Sequence, residues 1–185
     1  MLPPVLLKIL LLVVSSLLEK SYNTNLKKIS EIALNTASKI ALSLKHKIKV
    51  NYKSKSQPVT NADKEIDIYL KSYFKKHTPQ IGWLSEESRD DNSRLKKKLF
   101  WCLDPIDGTR SYINHKAEYT ISLALIENNI PIIGHVVNPE TKEYFYAEKN
   151  FGAFCNKKKI TVNNLANLNE SKIAISSSEI KNLEK

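Results

Sequence analysis

The hexapeptide Asp104-Pro105-Ile106-Asp107-Gly108-Thr109 constrains this chain more than any other segment. The apolar run Leu99-Phe100-Trp101-Cys102-Leu103 leads into it and predicts a strand, and residues 109–113 leave it as a short helix. Two carboxylates three residues apart, with proline between them and Gly-Thr after them, suit a hard cation and a phosphate at one spot. Carboxylates at a strand end can hold Mg²⁺, which takes oxygen ligands and keeps part of its water. N–H groups that open a helix offer an anion site. The pairing is the equipment of metal-assisted phosphoryl hydrolysis, and Gly108 stands where a phosphate needs close approach to the backbone.

The rest of the chain supplies a scaffold for such a turn. From Asn25 onward Leu26, Ile29, Ile32, Ala33, Ala37, Ile40, Ala41 and Leu44 recur at helical spacing and predict one apolar helix face. Residues 45–56 are basic and polar and read as a loop or a weak hairpin. Pro58-Val59-Thr60-Asn61 opens a second helix, with Thr60 or Asn61 as its cap and Ile66, Tyr69, Leu70, Tyr73 and Phe74 facing inward. Thr78-Pro79-Gln80 ends it. Short apolar runs then alternate with turns: residues 81–84, 99–103, 119–126, 131–138, 143–147, 159–162 and 173–176, with Glu127-Asn128-Asn129 as a hairpin turn. Two helices followed by many strands predict an α+β layered domain.

At 185 residues, with 42% hydrophobic and 26% charged side chains, the chain is long enough for one substantial core and is not of the disordered class. Its formal net charge of +10 draws polyanions or phosphorylated small molecules. The lysines are dispersed, with no stripe of stacking aromatics between them, so no specific nucleic-acid partner is expected. Cys102 and Cys155 lie in apolar surroundings without Cys-x-x-Cys or Cys/His spacing. They read as buried free thiols of a reducing, cytoplasmic compartment. His46, His77, His115 and His135 are scattered and read as structural or exposed.

Residues 1–24 are set apart as an apolar extension ahead of a domain at 25–185. Residues 9–18 form an uncharged, mostly aliphatic run, short for a membrane span of about 20 residues. Three readings stand open: a weak signal or anchor, an interfacial helix peripheral to the inner membrane, or an upstream extension that packs on nothing essential.

Three acidic clusters precede apolar or helical segments: Asp63 in Val59-Thr60-Asn61-Ala62-Asp63, Glu86-Glu87 in Leu84-Ser85-Glu86-Glu87-Ser88, and the Asp104/Asp107 pair. Each alone has an ordinary reading, as a first-turn acid on a helix dipole, a solvated loop and a turn. In this order they resemble successive motifs of the lithium-sensitive, magnesium-dependent phosphatase superfamily of inositol monophosphatase, fructose-1,6-bisphosphatase and 3′(2′),5′-bisphosphate nucleotidase. The matching strings are Val59-Thr60-x-x-Asp63, Ser85-Glu86-Glu87-Ser88, Trp101-x-x-Asp104-Pro105-Ile106-Asp107-Gly108-Thr109 and, beyond the strands, Gly152-Ala153-Phe154-Cys155-Asn156. The resemblance spans about residues 26–162.

Leu84-Ser85-Glu86-Glu87 and residues 118–126 look most like the CysQ-type bisphosphate nucleotidase. Arg110-Ser111-Tyr112-Ile113 replaces its usual Lys-x-Phe-Ile, and an Arg there also occurs in histidinol-phosphatase relatives. The resemblance implies the layered α/β/α/β sandwich of the inositol-monophosphatase/fructose-1,6-bisphosphatase type. It implies Mg²⁺ as cofactor, with Li⁺ as inhibitor. Glu86, Asp104 and the Ile106 carbonyl would hold a first ion, and Asp104 and Asp107 a second. Gly108 and Thr109 N–H groups, with Asp107, would bind the substrate, while Glu86 and a Thr109 hydroxyl bonded to Asp63 would orient and activate the attacking water.

The implied substrate is a small phosphate ester: adenosine 3′,5′-bisphosphate, hydrolysed to AMP and phosphate, or inositol-1-phosphate or a related sugar phosphate. Homodimerisation is a further implication. Family members also carry a C-terminal subdomain whose Trp-Asp motif supplies one more metal ligand. This sequence has none, since Trp83 and Trp101 are not followed by Asp. The C-terminal subdomain is therefore expected to be incomplete and the second metal site weakened, and a catalytically impaired remnant is the competing expectation.

Overall fold

A computed structural model describes residues 4–54, 57–165, 167–170 and 172, with the backbone alone for 4–21 and 168. Helix α1 runs unbroken from Pro4 to Leu44, through the boundary expected at residue 24. Its inward seam is Leu26, Ser30, Ala33, Leu34, Ala37 and Ala41, all at most 1% exposed. Small residues at three- and four-residue spacing let a second helix approach closely. Ile32, expected on that face, is 52% exposed because the seam passes through Leu34 and Ala37 instead.

The second helix, α2 (Asn61–His77), answers with Ala62, Ile66, Leu70 and Phe74, a buried row of one residue per turn. Thr60 is its N-cap. The Thr60 hydroxyl accepts from the N–H groups of Ala62 and Asp63, and the Asp63 carboxylate accepts from the Thr60 N–H, a reciprocal capping box. The basic stretch before it forms a hairpin, β1 (Val50–Ser54) with β2 (Gln57–Thr60). Pro58 and Val59, expected to open the helix, are thus strand residues, and the helix starts at Asn61.

The remaining strands form one sheet of seven, β3 (Gly82–Ser85), β4 (Leu99–Asp107), β5 (Thr120–Glu127), β6 (Ile130–Asn138), β7 (Glu143–Glu148), β8 (Gly152–Cys155) and β9 (Lys158–Ile160), in sequential order. β3 lies parallel to β4, and every later pair is antiparallel. The short helix α3 (Thr109–Ile113) joins β4 to β5 as expected. Asn128 and Asn129 make the β5–β6 turn with φ of 50° and 63°, the left-handed pair a two-residue hairpin requires. The segment Gly152–Cys155 is a strand, whereas the strand expected at 159–162 is shorter and shifted. Residues 173–176 lie outside the described residues.

Helices and sheet meet along alternate strand residues: Trp101, Leu103, Ile121, Leu123, Leu125, Ile133 and Tyr146 are buried against α1 and α2. Trp101 packs on Phe74 with ring centroids 4.7 Å apart and donates its Nε1–H to Thr78 Oγ1. His135 is buried in the same layer beside the Tyr144 hydroxyl, a structural histidine. Cys102 and Cys155 are free thiols, half-buried and not fully buried. Among the described residues no helix is long and apolar enough to cross a membrane.

Candidate active site

At the end of β4 the ladder to β5 breaks its rhythm. Asp104 pairs with Ser122 and Asp107 with Thr120, three residues against two. That one-residue bulge matters because residues three apart on a regular strand point to opposite faces. The extra residue sets Asp104 and Asp107 against partners that share a face, Ser122 and Thr120, whose hydroxyls lie 3.4 Å apart. Pro105 is tolerated because the β3 pairing has stopped at Leu103, so no ladder bond calls for its missing N–H.

Gly108 then takes φ 91°, and a Cβ there would stand 2.8 Å from the Glu118 carbonyl oxygen. Two independent constraints therefore demand glycine at this turn. Tyr112 N–H donates to Gly108 O, closing the first turn of α3.

Other elements bring further acids to this end of the sheet. Glu86 N–H donates to Leu103 O at 3.1 Å, extending the β3–β4 ladder by one residue and setting Glu86 beside Asp104. Asp63 comes from the first turn of α2, 1% exposed, with Oδ2 accepting from the Thr60 N–H at 2.7 Å and the Thr60 hydroxyl at 2.5 Å. Burial, then the charges of Glu86, Asp107 and Asp63, push the Asp104 carboxyl up to about 7. Burial also raises Asp63, against the opposing bonds from Thr60. Asp104 is thus the carboxyl that most feels its acidic neighbours, and a proton or a cation relieves that repulsion.

The chain itself offers one in Lys53 of β1. Its ammonium lies 2.6 Å from Glu87 Oε1 and 3.3 Å from Glu86 Oε1, and reaches the Glu86 carbonyl as well. Burial pulls the Lys53 ammonium down, but the bonds to Glu87 and Glu86 outweigh it and the net shift is upward. The lysine pairs with Glu86 and Glu87 at the rim, and the donors around Asp104 are oxygens, the ligand type a hard cation such as Mg²⁺ takes. Among the described residues no three His, Cys, Asp or Glu side chains converge on one ion position. Any ligand set here would therefore be completed by a carbonyl and water.

The structure thus gathers Asp63, Glu86, Asp104, Asp107, Gly108 and Thr109 at one end of the sheet. One expected contact differs. The Thr109 hydroxyl donates to the Ile106 carbonyl at 2.9 Å, not to Asp63, whose carboxylate is occupied by Thr60. Both Ile106 O and the Thr109 hydroxyl are therefore engaged with each other. Sequence reasoning missed Lys53, one lysine among many. Its signal is the β1–β2 hairpin, which no motif announces.

Paired helices on one face of a mixed sheet, with carboxylates gathered where two neighbouring strands end, make a layered α+β sandwich with an acid cluster at its strand ends. The chain belongs to the inositol monophosphatase family, whose model matches residues 22–184. It is 32% identical over 104 residues to the 3′(2′),5′-bisphosphate nucleotidase CysQ of Aggregatibacter actinomycetemcomitans, a match covering 55% of this chain and 39% of that protein. An inositol monophosphatase of Thermotoga maritima aligns with TM-score 0.70 and 27% identity, covering 76% of this chain and 54% of the other. A dual inositol monophosphatase/NADP phosphatase, solved with Mg²⁺ and phosphate, aligns with TM-score 0.67 and 25% identity, covering 74% and 52%. The chain therefore spans well under two thirds of the relatives it matches. They are phosphatases with different substrates.

Proposed function

We propose that this chain is the acid-cluster portion of a Mg²⁺-dependent phosphomonoesterase acting on a small phosphate ester, with adenosine 3′,5′-bisphosphate as the favoured substrate. The observation that carries the reading is the bulge at the end of β4. It sets Asp104 and Asp107 on one side, beside Glu86, immediately before the Gly108-Thr109 turn. Glu86, Asp104 and the Ile106 carbonyl are the residues that would hold a first Mg²⁺, with Asp104 and Asp107 sharing a second. Bound there, Mg²⁺ supplies charge neutralisation and Lewis acidity toward a phosphoryl group.

The chain's own groups do the rest. Gly108 and Thr109 N–H groups bind phosphate oxygens at a turn that packs its backbone directly on the Glu118 carbonyl. Asp63, with its carboxyl shifted upward by burial, is a better proton acceptor than a surface carboxylate. Glu86 and the Thr109 hydroxyl orient the attacking water, with the buried Asp63 behind them as the acceptor that draws its proton inward. The Thr60 hydroxyl and N–H hold the Asp63 carboxylate in one orientation throughout.

The test is phosphate release from adenosine 3′,5′-bisphosphate and from inositol-1-phosphate, with and without Mg²⁺ and with Li⁺. Asp104→Asn is expected to abolish Mg²⁺-dependent turnover, leaving the circular dichroism spectrum unchanged. Retained hydrolysis by that variant overturns the assignment. The second reading, sugar-phosphate hydrolysis, rests on the inositol monophosphatases among the similar structures and is favoured if the inositol ester is the better substrate. Mg²⁺ binding with no release from either ester favours a catalytically impaired remnant.

A further inference from the structure

The end of α1 grips the backbone beneath the Gly108 turn. Lys45, one residue past α1, is 8% exposed despite its charge. Its ammonium donates to the Lys116 carbonyl at 2.8 Å and to Glu140 Oε1, and lies 4.8 Å from the centre of the Tyr119 ring. The Tyr119 hydroxyl donates to the same Glu140 oxygen at 3.2 Å. Asn138 Nδ2 donates to the Ala117 carbonyl at 2.8 Å, so successive carbonyls of the segment entering β5 are both held by side chains. Tyr119 packs edge-on against Tyr112 of α3, and the Tyr112 hydroxyl donates to Ala41 O at 2.7 Å. That carbonyl belongs to the last turn of α1, where no intrahelical partner exists.

These bonds converge on one place. The Glu118 carbonyl oxygen and Tyr119 Cα are the atoms against which Gly108 sits, at 2.8 Å and 3.3 Å from where its Cβ would be. Any shift of residues 116–119 is therefore transmitted directly to the Gly108 turn, which has no side chain to absorb it. Anion binding by backbone N–H groups depends on their convergence to within about half an ångström.

We propose that Lys45, Glu140 and Tyr119 form a positioning clasp that holds the Gly108-Thr109 turn in the geometry that binds phosphate. None of the three touches the substrate. The inference rests on the phosphatase reading of that turn and adds Lys45 and Glu140, which lie outside every motif of the family resemblance. A buried lysine paired with a half-buried carboxylate fits this duty because losing the carboxylate leaves the lysine charge uncompensated, and losing the lysine frees the segment.

The test compares wild-type protein with Lys45→Met, Glu140→Gln and Lys45→Arg by calorimetric titration, first with Mg²⁺ alone and then with inorganic phosphate at saturating Mg²⁺. Lys45→Met and Glu140→Gln are expected to weaken phosphate binding about tenfold with Mg²⁺ affinity within about twofold of wild type, and Lys45→Arg to recover most of the loss. Phosphate affinity within about twofold of wild type in both variants overturns the clasp. So does a parallel fall of phosphate affinity, Mg²⁺ affinity and Tm, the mark of a merely structural role. Wild-type protein that binds Mg²⁺ but no phosphate overturns the phosphatase reading itself, a separate outcome. Glu140→Gln keeps shape and hydrogen-bonding capacity, so it stays informative if Lys45→Met does not fold.

Discussion

Asp104 is held near pH 7 by burial and by three neighbouring acids, and this shift has a sign for stability. The unfolded carboxyl titrates near 3.8 and the folded one near 7, so across that window the folded state binds the extra proton. Stability therefore falls as pH rises from about 4 through 7, and the penalty is complete above 7. In protein free of divalent cations, Asp104→Asn is expected to raise Tm at pH 8 by roughly 4–8 °C, equivalent to about 2 kcal/mol. At pH 3.5 it should change Tm little. Differential scanning calorimetry at the two pH values checks this, and an equal effect at both would mean that the shift is not what destabilises the site. Asp104, Asp107, Glu86 and Asp63 were all legible as sequence because each sits in a motif with its own local reason. Lys53 was not legible, because it lies 33 residues from Glu86 and resembles every other lysine.

The capping box at the start of α2 shows how an element's local chemistry serves a site. Thr60 caps the helix and also occupies the buried Asp63 carboxylate. Thr60→Ala is expected to cost about 1–2 kcal/mol in chemical denaturation, with Thr60→Ser costing less than about 1 kcal/mol. A neutral Thr60→Ala would show that the Asp63 bonds contribute nothing net. The Thr-x-x-acid spacing announces this cap, and the alternation of residues 119–126 and 131–138 announces β5 and β6 just as clearly. Where the reading slipped, pairing had decided. Pro58 discourages a strand, yet β2 forms because in a two-stranded sheet it is an edge strand, where proline is tolerated. Ile32 fits an apolar stripe as well as Leu34 does, and only the position of α2 selects between them. The Thr109 hydroxyl has Ile106 O within reach by its own turn, a choice that spacing alone cannot rank against Asp63.

Across the whole molecule protection is unevenly spread. β5 lies between β4 and β6, with Ile121, Leu123 and Leu125 fully buried, whereas all three residues of β9 are exposed. Hydrogen exchange followed by mass spectrometry is expected to find β5 amides slowest, and the β9 and β1 amides exchanging by local opening orders of magnitude faster. Comparable rates in β5 and β9 would contradict this picture of the core.

The sequential strand order also has a kinetic side. From β4 to β9 each strand lies beside its neighbour in the chain, so the sheet grows by closing short loops. The bonds from Lys45 join residues 71 and 95 positions apart and must close long ones. Contacts of such separation are costly before the rest is formed, so the meander should condense first and the grip on the Gly108 turn last. Refolding of a Trp83→Phe variant watched by Trp101 fluorescence should then run ahead of refolding watched by recovery of anion binding.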